Sequence, residues 1–366
     1  MKLPTWDELQ GDSQQLDVLE HPLDQALFVA GPPGSGKTVL AVRRAEMLAE
    51  SGTQATIITF NRMLRRLVSL LSNGTNAART MHSFVWRDYL RRTGQRKPPT
   101  SGQSSFDYTW DEMLDAANSS SHPKEEHLII DEGQDLAEGF FRYASSHAAS
   151  VLTVFADDDQ ALDDRHSTLE QIMAAANLPK PRMLKSNHRN APEVARVAEH
   201  FHAGGRLPAA DVRRIAIGTL PRLIRSKGID TTADTIATWF RNRGGSVGVI
   251  VHSNAVGATV QKLLKVRLPS IRIDRYCHGS GIEDSINVNE DGVTILNRES
   301  VKGQEFDSVF VLEIDQMLPW RTQTMRRVLY MICARARDYL ILVYGPTPLS
   351  TLAERQLPGP KILERV

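Results

Sequence analysis

The segment LIIDEGQDL (128–136) places three carboxylates close together at the end of an apolar run. Asp131, Glu132 and Asp135 lie within five positions, and the amide of Gln134 lies between them. Carboxylates at this spacing repel one another, so the pattern predicts a positively charged partner. Taken alone, the segment is better explained as an acidic loop that water solvates. A positive group elsewhere in the chain must decide between the two interpretations.

A phosphate-binding loop upstream supplies that group. The stretch ALFVAGPPGSGKTVLAVRRAEML (26–48) contains the pattern GxxxxGK[ST] between an apolar run and an amphipathic helical pattern. Glycines let backbone N–H groups turn toward phosphate oxygens, and the helix start adds the positive end of its dipole. A glycine-rich turn that matches by chance is the alternative. The residues predicted to bind the nucleotide here are Gly31, Gly34, Ser35, Gly36, Lys37 and Thr38.

Together, the loop and the acidic segment predict a site for ATP and Mg²⁺. Lys37 is expected to reach the β- and γ-phosphates, and the Thr38 hydroxyl is expected to bind the metal. Asp131 is predicted to hold the same ion, directly or through water. Glu132 is predicted to polarise the attacking water as general base. The side chains expected to contact the γ-phosphate and tie it to neighbouring elements are Gln134 and Asp135.

Composition narrows the class of protein. The 366 residues are 41% hydrophobic and include 44 basic and 43 acidic side chains, so a nucleic-acid site must be a local patch. Neither Cys277 nor Cys333 has the spacing of a zinc site, which predicts a reducing, cytoplasmic compartment. The N-terminal MKLPTWDELQ lacks an apolar signal core, and no run reaches the roughly 18 apolar residues of a membrane span.

Short apolar runs alternate with helical patterns in two series along the chain. Strands that alternate with helices predict parallel sheets of α/β type, and two series predict two domains. The boundary is expected between about 182 and 222. Polar stretches rich in Pro or Ser at 94–105 and 118–126 predict loops. The apolar runs lie at 55–60, 127–132, 150–157, 245–253, 292–297, 308–314 and 339–345.

With these motifs in this order, the chain resembles the UvrD/Rep-like superfamily 1 helicases. The resemblance implies two RecA-like P-loop domains, an ATP-binding domain at 1–182 and a helicase domain at 183–366. SQQLDVLEHP resembles the family's adenine-reading glutamine motif, with Gln15 in place, although a surface glutamine is the alternative. FADDDQAL (155–162) resembles its GDxxQ motif, which makes Gln160 a γ-phosphate sensor, with Ala156 in place of the usual glycine.

The second series carries the remaining ATP motifs of the family. LKSNHRNAPEV (184–194) is similar to LxxNYRS and implies that Arg189 contacts the γ-phosphate. ILNRESVKGQEFDSVFV (295–311) resembles TxHxxKGLEFDxV, which places Gly303 and Glu305 by the phosphates and ribose. RRVLYMICARARDYLIL (326–342) resembles RRLLYVALTRAR, so Arg335 takes the place of the finger arginine. A helix with surface arginines is the alternative for 326–337.

The nucleic-acid motifs are matched less completely. TIITFNRMLRRL and RTMHSF resemble strand-binding motifs of the first domain. The aromatic that usually follows GDxxQS is missing, since Leu162 and Asp163 stand there, and Glu299 replaces a histidine. These departures predict weak binding of the strand. The residues that the resemblance assigns to nucleic acid are Phe60, Arg62, Thr80 and Ser83, with a buried core position as the alternative for Phe60.

Three hypotheses for function follow. The first is an ATP-dependent DNA helicase or translocase that binds single-stranded DNA, with RNA left open. The second is an ATPase switch that licenses a partner, such as a nuclease in defence or repair. It is favoured by the altered strand contacts and by the mere 39 residues between Arg87 and His127, where larger relatives carry a subdomain. The third is a small-molecule kinase, which the arginine motifs of the second series argue against.

Overall fold

The computed structural model describes residues 9, 11–60, 62–71, 77–102, 106–157, 167–203, 210–276, 291–298 and 300–366. The chain divides into two compact units, residues 2–185 and residues 186–366. Each unit is built around its own parallel sheet. That the first unit is the ATP-binding domain and the second the helicase domain stays a prediction.

The first unit contains a sheet of six strands, all paired in parallel. These strands are β1 (Leu27–Ala30), β2 (Ala55–Thr59), β3 (Ala77–Thr80), β4 (Glu125–Ile130), β5 (Ala149–Ala156) and β6 (Arg182–Met183). Their order across the sheet is β3-β2-β4-β5-β1-β6. The carboxyl ends of β1 and β4, on which the loop 31–38 and the segment 131–136 follow, therefore lie on either side of β5 at one edge of the sheet.

Helices flank this sheet and are fixed by caps and by apolar burial. They are α1 (Ser13–Glu20), α2 (Lys37–Glu50), α3 (Arg62–Leu71), α4 (Met81–Thr93), α5 (Trp110–Asn118), α6 (Glu138–Tyr143) and α7 (Leu169–Ala176). The Asp12 side chain caps α1, and Thr168 and Gln171 form a capping box at the start of α7. Phe28, Ile130 and Phe140 are fully buried in one apolar cluster between sheet and helices.

The second unit contains a sheet of seven strands, again all paired in parallel. Its strands are β9 (Arg222–Arg225), β10 (Ser246–Val251), β11 (Ile273–Tyr276), β12 (Gly292–Asn297), β13 (Phe306–Val311), β14 (Ala336–Tyr344) and β15 (Glu364–Arg365). They are ordered β11-β12-β10-β13-β14-β9-β15. Two short strands, β7 (Ser186–Asn187) and β8 (Asp211–Val212), form a separate parallel pair.

The helices of the second unit pack its apolar core. They are α8 (Pro192–His200), α9 (Ile229–Arg243), α10 (Asn254–Arg267), α11 (Gln323–Cys333) and α12 (Thr351–Arg355). The proline at the first position of α8 has a fixed φ suited to a helix start. Val249, Ile295 and Phe310 of the central strands are fully buried against α9 and α10.

The predicted fold class is confirmed, because both sheets are parallel and flanked by helices. Every apolar run identified in the sequence contains a strand. The loop predicted at 118–126 extends two residues too far, since β4 begins at Glu125. In the described part of the chain, no helix is both long and apolar enough to cross a membrane.

Candidate nucleotide-binding site

The loop between β1 and α2 has the backbone that phosphate binding requires. Gly34 and Gly36 adopt φ of 81° and 89°, values that residues other than glycine rarely adopt. Helix α2 starts directly after Gly36, so its first N–H groups have no partner within the helix. Such a helix start attracts anions. The hydroxyl of Ser35 is buried without a hydrogen-bond partner among the described residues, which leaves a donor for a phosphate oxygen.

The side chain of Lys37 is held inside this loop. Its Nζ donates to the carbonyl oxygens of Gly31 at 2.7 Å and Pro32 at 3.1 Å. It also forms an ion pair with Asp157 at 3.3 Å, and both side chains are buried. The sequence motif FADDDQ contains Asp157, but the family resemblance implied a role only for Gln160 of that motif. Aspartate at the second position of GDxxQ was the signal that could have identified it.

Thr38 and Asp131 form the second link between the loop and the acidic segment. Thr38 Oγ1 donates to Asp131 Oδ2 at 2.7 Å, and the Asp131 N–H donates to Ile58 O at 2.9 Å. Burial, and then the charge of Glu132, raise the pKa of Asp131 above its usual range. A carboxylate that is costly to ionise in isolation gains from a cation beside it. The oxygen donors of Thr38 and Asp131 therefore fit Mg²⁺, which usually takes one or two protein ligands and keeps several waters.

Glu132 and Gln134 connect the acidic segment to β5. Glu132 has a left-handed backbone with φ of 56°, an uncommon conformation that concentrates at functional sites. Gln134 Nε2 donates to Glu132 Oε2 at 2.6 Å, and Gln134 Oε1 accepts from Asp157 N at 2.9 Å. One amide side chain thus fixes the carboxylate predicted as general base and the aspartate that pairs with the lysine. Asp135 is also buried and lies in the short 3₁₀ turn that follows.

Gln15 lies against the phosphate-binding loop. Its Nε2 donates to Ser35 O at 2.9 Å, and the side chain is buried. A Cβ added to Gly36 would lie 2.7 Å from Gln15 Nε2, so this contact also requires glycine there. The buried Arg44 supports the end of α1, since its guanidinium donates to Val18 O and His21 O at 2.8 and 2.9 Å. The role of Gln15 as an adenine reader stays a prediction.

In the second unit, Arg189 and Glu305 lie together. Arg189 Nε donates to Glu305 Oε2 at 2.7 Å, whereas Arg189 Nη1 is buried without a hydrogen-bond partner in the part of the chain that the structure describes. Gly303 has φ of 77°, so the turn before Glu305 favours glycine. Asn190 donates to the carbonyl oxygens of Ala334 and Ala336, which joins this motif to the one at 326–342.

Arg335 is one of the most deeply buried large side chains of the protein, only 1% exposed. Its Nε donates to Met331 O at 3.0 Å, one turn earlier in α11. The surface-helix alternative for 326–337 therefore does not describe this residue. Nearby in sequence, both polar atoms of the Gln304 side chain are buried without a hydrogen-bond partner among the described residues.

The predicted nucleic-acid residues lie at the carboxyl ends of neighbouring strands. Phe60 follows β2 and is 38% exposed, so the core alternative is wrong for this side chain. Thr80 ends β3 and caps α4, with its Oγ1 accepting from Ser83 N at 3.3 Å. Ser83 is exposed. The Arg62 side chain lies outside the described residues, as do Gln160, Leu162, Asp163, Cys277 and Glu299.

Comparisons with known proteins agree with the first unit's geometry. Residues 14–164 match the protein-family model described as an AAA domain, a segment that includes both the loop 31–38 and the acidic segment. These residues therefore form a P-loop NTPase domain, and the predicted resemblance is confirmed at that level. A search of curated proteins gives no match. Among described residues, no group of three or more His, Cys, Asp or Glu is arranged to hold a metal ion.

One solved structure to which the chain is similar is the C-terminal domain of a possible DNA helicase from Lactobacillus plantarum WCFS1. The identity is 23% and the TM-score 0.36, with 49% of this chain and 99% of the other covered. A likeness of this degree carries no argument about fold or function.

Proposed function

We propose that the protein is an ATPase of helicase type that couples ATP hydrolysis to binding of single-stranded DNA. The observation that carries the proposal is that Lys37, Thr38, Asp131 and Glu132 lie together at one edge of a parallel sheet. Thr38 contacts Asp131 directly at 2.7 Å. Lys37 and Glu132 are linked through Asp157 and Gln134, with contacts of 2.6 to 3.3 Å. Those four side-chain types in this arrangement suit phosphoryl transfer from a nucleotide to water.

Each side chain has a distinct role in this proposal. Lys37 would exchange its carbonyl partners and Asp157 for phosphate oxygens. Glu132 would take a proton from the attacking water, and Gln134 keeps that carboxylate in place. Thr38 and Asp131 would hold Mg²⁺, which when bound neutralises charge on the phosphates.

The arginines of the second unit are proposed to stabilise the transferring phosphoryl group. Arg189 supports this role best, because its Nη1 is buried and lacks a hydrogen-bond partner among the described residues. An unsatisfied buried donor costs about 1–3 kcal/mol unless a ligand accepts from it. Arg335 is proposed for the same reaction by its place in the motif, and Gly303 and Glu305 for contacts to the nucleotide.

The strand is proposed to bind where β2 and β3 end. Phe60 offers an exposed ring for stacking on a base, and Thr80 and Ser83 offer hydroxyls to phosphates. Arg62 is kept in this proposal from its motif alone. Strand binding through so few contacts is expected to be weak, which agrees with the departures at Leu162, Asp163 and Glu299.

A second candidate is an ATPase switch that licenses a protein partner such as a nuclease. Its support is the short insertion in the first unit. In the described part of residues 94–124, the chain builds only α5 and the isolated antiparallel bridge between Thr100 and Tyr108. Nothing of the size of a strand-separating subdomain is present there. ATP turnover would then time an assembly and not unwind a duplex.

Two assays separate the candidates. ATP hydrolysis is measured with and without a single-stranded oligonucleotide, and unwinding is measured on a tailed duplex at low salt. The proposed function predicts ATPase activity that single strands stimulate modestly, with weak unwinding. Stimulation with no detectable unwinding at any protein concentration would favour the switch, and hydrolysis that ignores single strands would refute the coupling. Phosphorylation of a small-molecule acceptor would favour a kinase instead.

A further inference from the structure

Helix α4 has one face that is firmly anchored in the first unit. Asp88 accepts from Arg92 Nε at 2.7 Å and from the Tyr143 hydroxyl at 2.7 Å. Arg92 also donates to His122 O at 2.9 Å. Because this network is buried and joins three parts of the chain, the orientation of the helix is fixed and its opposite face is held outward.

The outward face of α4 is basic. Ser83, Arg87 and Arg91 are exposed at a spacing of four residues, so they form one row about 12 Å long on the helix surface. Arg87 forms no ion pair with any described residue. Among the described residues, Arg91 forms an ion pair with Glu125 at 3.7 Å. An exposed surface ion pair of this length is weak and leaves Arg91 able to exchange partners.

Arg79 adds a third guanidinium to this row. It lies on β3, which is the edge strand of the sheet and directly precedes α4. Burial, and then the charges of Arg87 and Arg91, lower the pKa of Arg79, while Glu125 acts in the opposite direction. The three arginines are therefore close enough to repel one another, and one glutamate does not balance them. Positive groups assembled in this way are stabilised by a polyanion.

An aromatic pair lies at the N-terminal end of the same helix. The rings of His82 and Phe106 are 4.4 Å apart at an interplanar angle of 41°, and Phe106 is 58% exposed. Close to Phe106 in sequence, Tyr108 forms an isolated antiparallel bridge with Thr100. His82 Nδ1 lies 3.2 Å from the Tyr108 hydroxyl. Burial lowers the pKa of His82 to about 4, so the pair is neutral at physiological pH and suited to stacking.

We propose that this surface is a second binding segment for single-stranded nucleic acid, continuing from the ends of β2 and β3 along the edge of the sheet. Phe106, supported by His82, stacks on a base, and Arg79, Arg87 and Arg91 contact successive phosphates. The inference deepens the proposed function and rests on it. It also gives the chain a stacking aromatic in place of the one missing after the FADDDQ motif.

The combination of groups favours a nucleic acid over an acidic protein. A row of arginines alone would suit either polyanion. An exposed phenyl ring on a neutral imidazole, at the end of that row, suits a partner that alternates negative charge with flat aromatic faces. Single strands present bases for stacking, which contributes to binding without sequence preference.

The test is fluorescence anisotropy of a labelled dT20 strand, titrated with the full chain at several salt concentrations. The Arg87→Ala/Arg91→Ala double variant should reduce the slope of log Kd against log salt by about 1.4, because each lost phosphate contact removes about 0.7. Arg355→Ala, an exposed arginine of α12, is the matched control and should leave the slope unchanged. A slope for the double variant equal to that of the control would overturn the phosphate contacts.

The stacking contact is tested separately with Phe106→Ala. Affinity for dT20 should fall by about one to two decades with the salt slope unchanged. On an abasic strand of the same length, wild type and variant should bind equally, because this strand has a phosphate backbone but no base on which Phe106 could stack. Ile215→Ala, which removes another exposed apolar side chain, is the control. An equal loss on the abasic strand would refute stacking.

These outcomes are distinct from failure of the proposed function. If the wild-type chain does not bind dT20 even at low salt, both the function and this inference are wrong. If it binds, and both sets of variants behave as their controls, the strand does not use α4 and only this inference is overturned. Weaker binding by both sets, with normal melting temperatures, supports the binding segment.

Discussion

The phosphate-binding loop of the first unit and the arginine motifs of the second unit differ in how their polar groups are satisfied. In the first unit, Lys37 contacts two backbone carbonyls and Asp157, and Thr38 contacts Asp131. These polar and charged groups therefore compensate one another within the chain. Within the loop 31–38, Ser35 is the exception, with a buried hydroxyl that lacks a partner in the described structure.

The arginine motifs of the second unit leave more of their buried polar atoms unsatisfied than the phosphate-binding loop does. Arg189 uses Nε for Glu305 but has no described partner for Nη1, and neither polar atom of the Gln304 amide has one. Each such atom costs about 1–3 kcal/mol of folding stability. The charged groups of the phosphate-binding loop therefore have partners within the first unit, whereas Arg189 and Gln304 of the second unit keep buried polar atoms without a partner in the described structure.

The largest effects are expected in the first unit. Lys37→Ala should abolish ATP hydrolysis and weaken nucleotide binding, because the variant loses the phosphate contact and leaves Asp157 without its cation. Glu132→Gln should reduce turnover by roughly 10²–10⁴-fold and retain nucleotide binding, because only activation of water is lost. Steady-state ATPase assays and nucleotide titrations measure the two quantities.

The matched control for the carboxylate is Glu138→Gln, at the exposed start of α6. It should hydrolyse ATP at the wild-type rate. If Glu132→Gln also does so, another residue is the general base. If Lys37→Ala binds nucleotide as tightly as wild type, Lys37 does not contact the phosphates.

The arginines should separate turnover from binding. Arg189→Ala is expected to leave nucleotide affinity nearly unchanged and to slow turnover by a factor on the order of 100 or more, as for other arginine contacts to a transferring phosphoryl group. Arg335→Ala should slow turnover similarly. Because Arg335 is buried and bonded to Met331, the second variant should also lower the melting temperature. ATPase assays and thermal melts distinguish the two.

Arg196→Ala, an exposed arginine of α8, is the control and should affect neither quantity. A structural role for Arg189 would appear as a lower melting temperature with turnover preserved. For Arg335, Arg335→Lys keeps a cation in the same place. Full turnover by a well-folded Arg335→Lys variant would show that the guanidinium itself is not needed for catalysis.

Sequence was enough to predict the parallel sheets and the nucleotide motifs. The long apolar runs that form β4, β5, β10 and β12 have few alternatives to a buried strand. The short strands β3 (AART) and β6 (RM) were missed because each contains arginine and lacks an apolar run. They become strands by pairing with the longer strands beside them in the sheet. The ion pair between Lys37 and Asp157 forms because β1 and β5 are neighbours in the sheet. The order of strands in a sheet is not encoded in any local segment of the sequence, so this contact could not be predicted.

Burial of charged groups was the least predictable property. Arg335 was expected as a finger arginine, and nothing in RRVLYMICARAR indicates that its side chain is 1% exposed. Likewise, the basic row of α4 follows from the anchoring of Asp88 and Arg92 on the opposite face. Helical periodicity alone does not say which of two polar faces a sheet will cover.

A smaller effect is expected at the contact between Gln15 and Gly36. Gly36→Ala introduces a Cβ where φ is 89° and where Gln15 Nε2 would lie 2.7 Å away. The strain of the left-handed backbone costs about 1–2 kcal/mol. Displacement of Gln15 from Ser35 should destabilise the protein further. In a Gln15→Ala background, this second contribution should disappear. The free energies of unfolding of wild type, both single variants and the double variant measure the coupling.

Gly52→Ala is the matched control, because φ is 83° and a Cβ would meet open space. It should show the backbone cost alone. If Gly36→Ala costs no more than Gly52→Ala, then Gln15 adapts freely and does not brace the loop. The first unit would then be less prepared for nucleotide than its contacts indicate.

The smallest expected effect concerns acid stability of the first unit. His127 is buried on β4, with Nε2 2.8 Å from Thr153 Oγ1, and burial followed by the charge of Arg44 lowers its pKa from 6.5 to about 4. Because the folded-state pKa lies below the unfolded value, the stabilising contribution is complete above pH about 6.5 and is lost progressively as the pH falls toward 4. Between pH 7 and pH 5 the loss is about 2 kcal/mol.

Hydrogen exchange, corrected for its intrinsic pH dependence, can follow the central strands of both units in one experiment. The opening free energy of amides in β4 should fall between pH 7 and pH 5 by about 2 kcal/mol more in wild type than in His127→Gln. Amides of β10 in the second unit serve as the internal reference and should not distinguish the two proteins. An equal acid loss in β4 of wild type and variant would assign the sensitivity to another group. A change in β10 that depends on His127 would mean that the units unfold together, so the contrast between them would not extend to their stability.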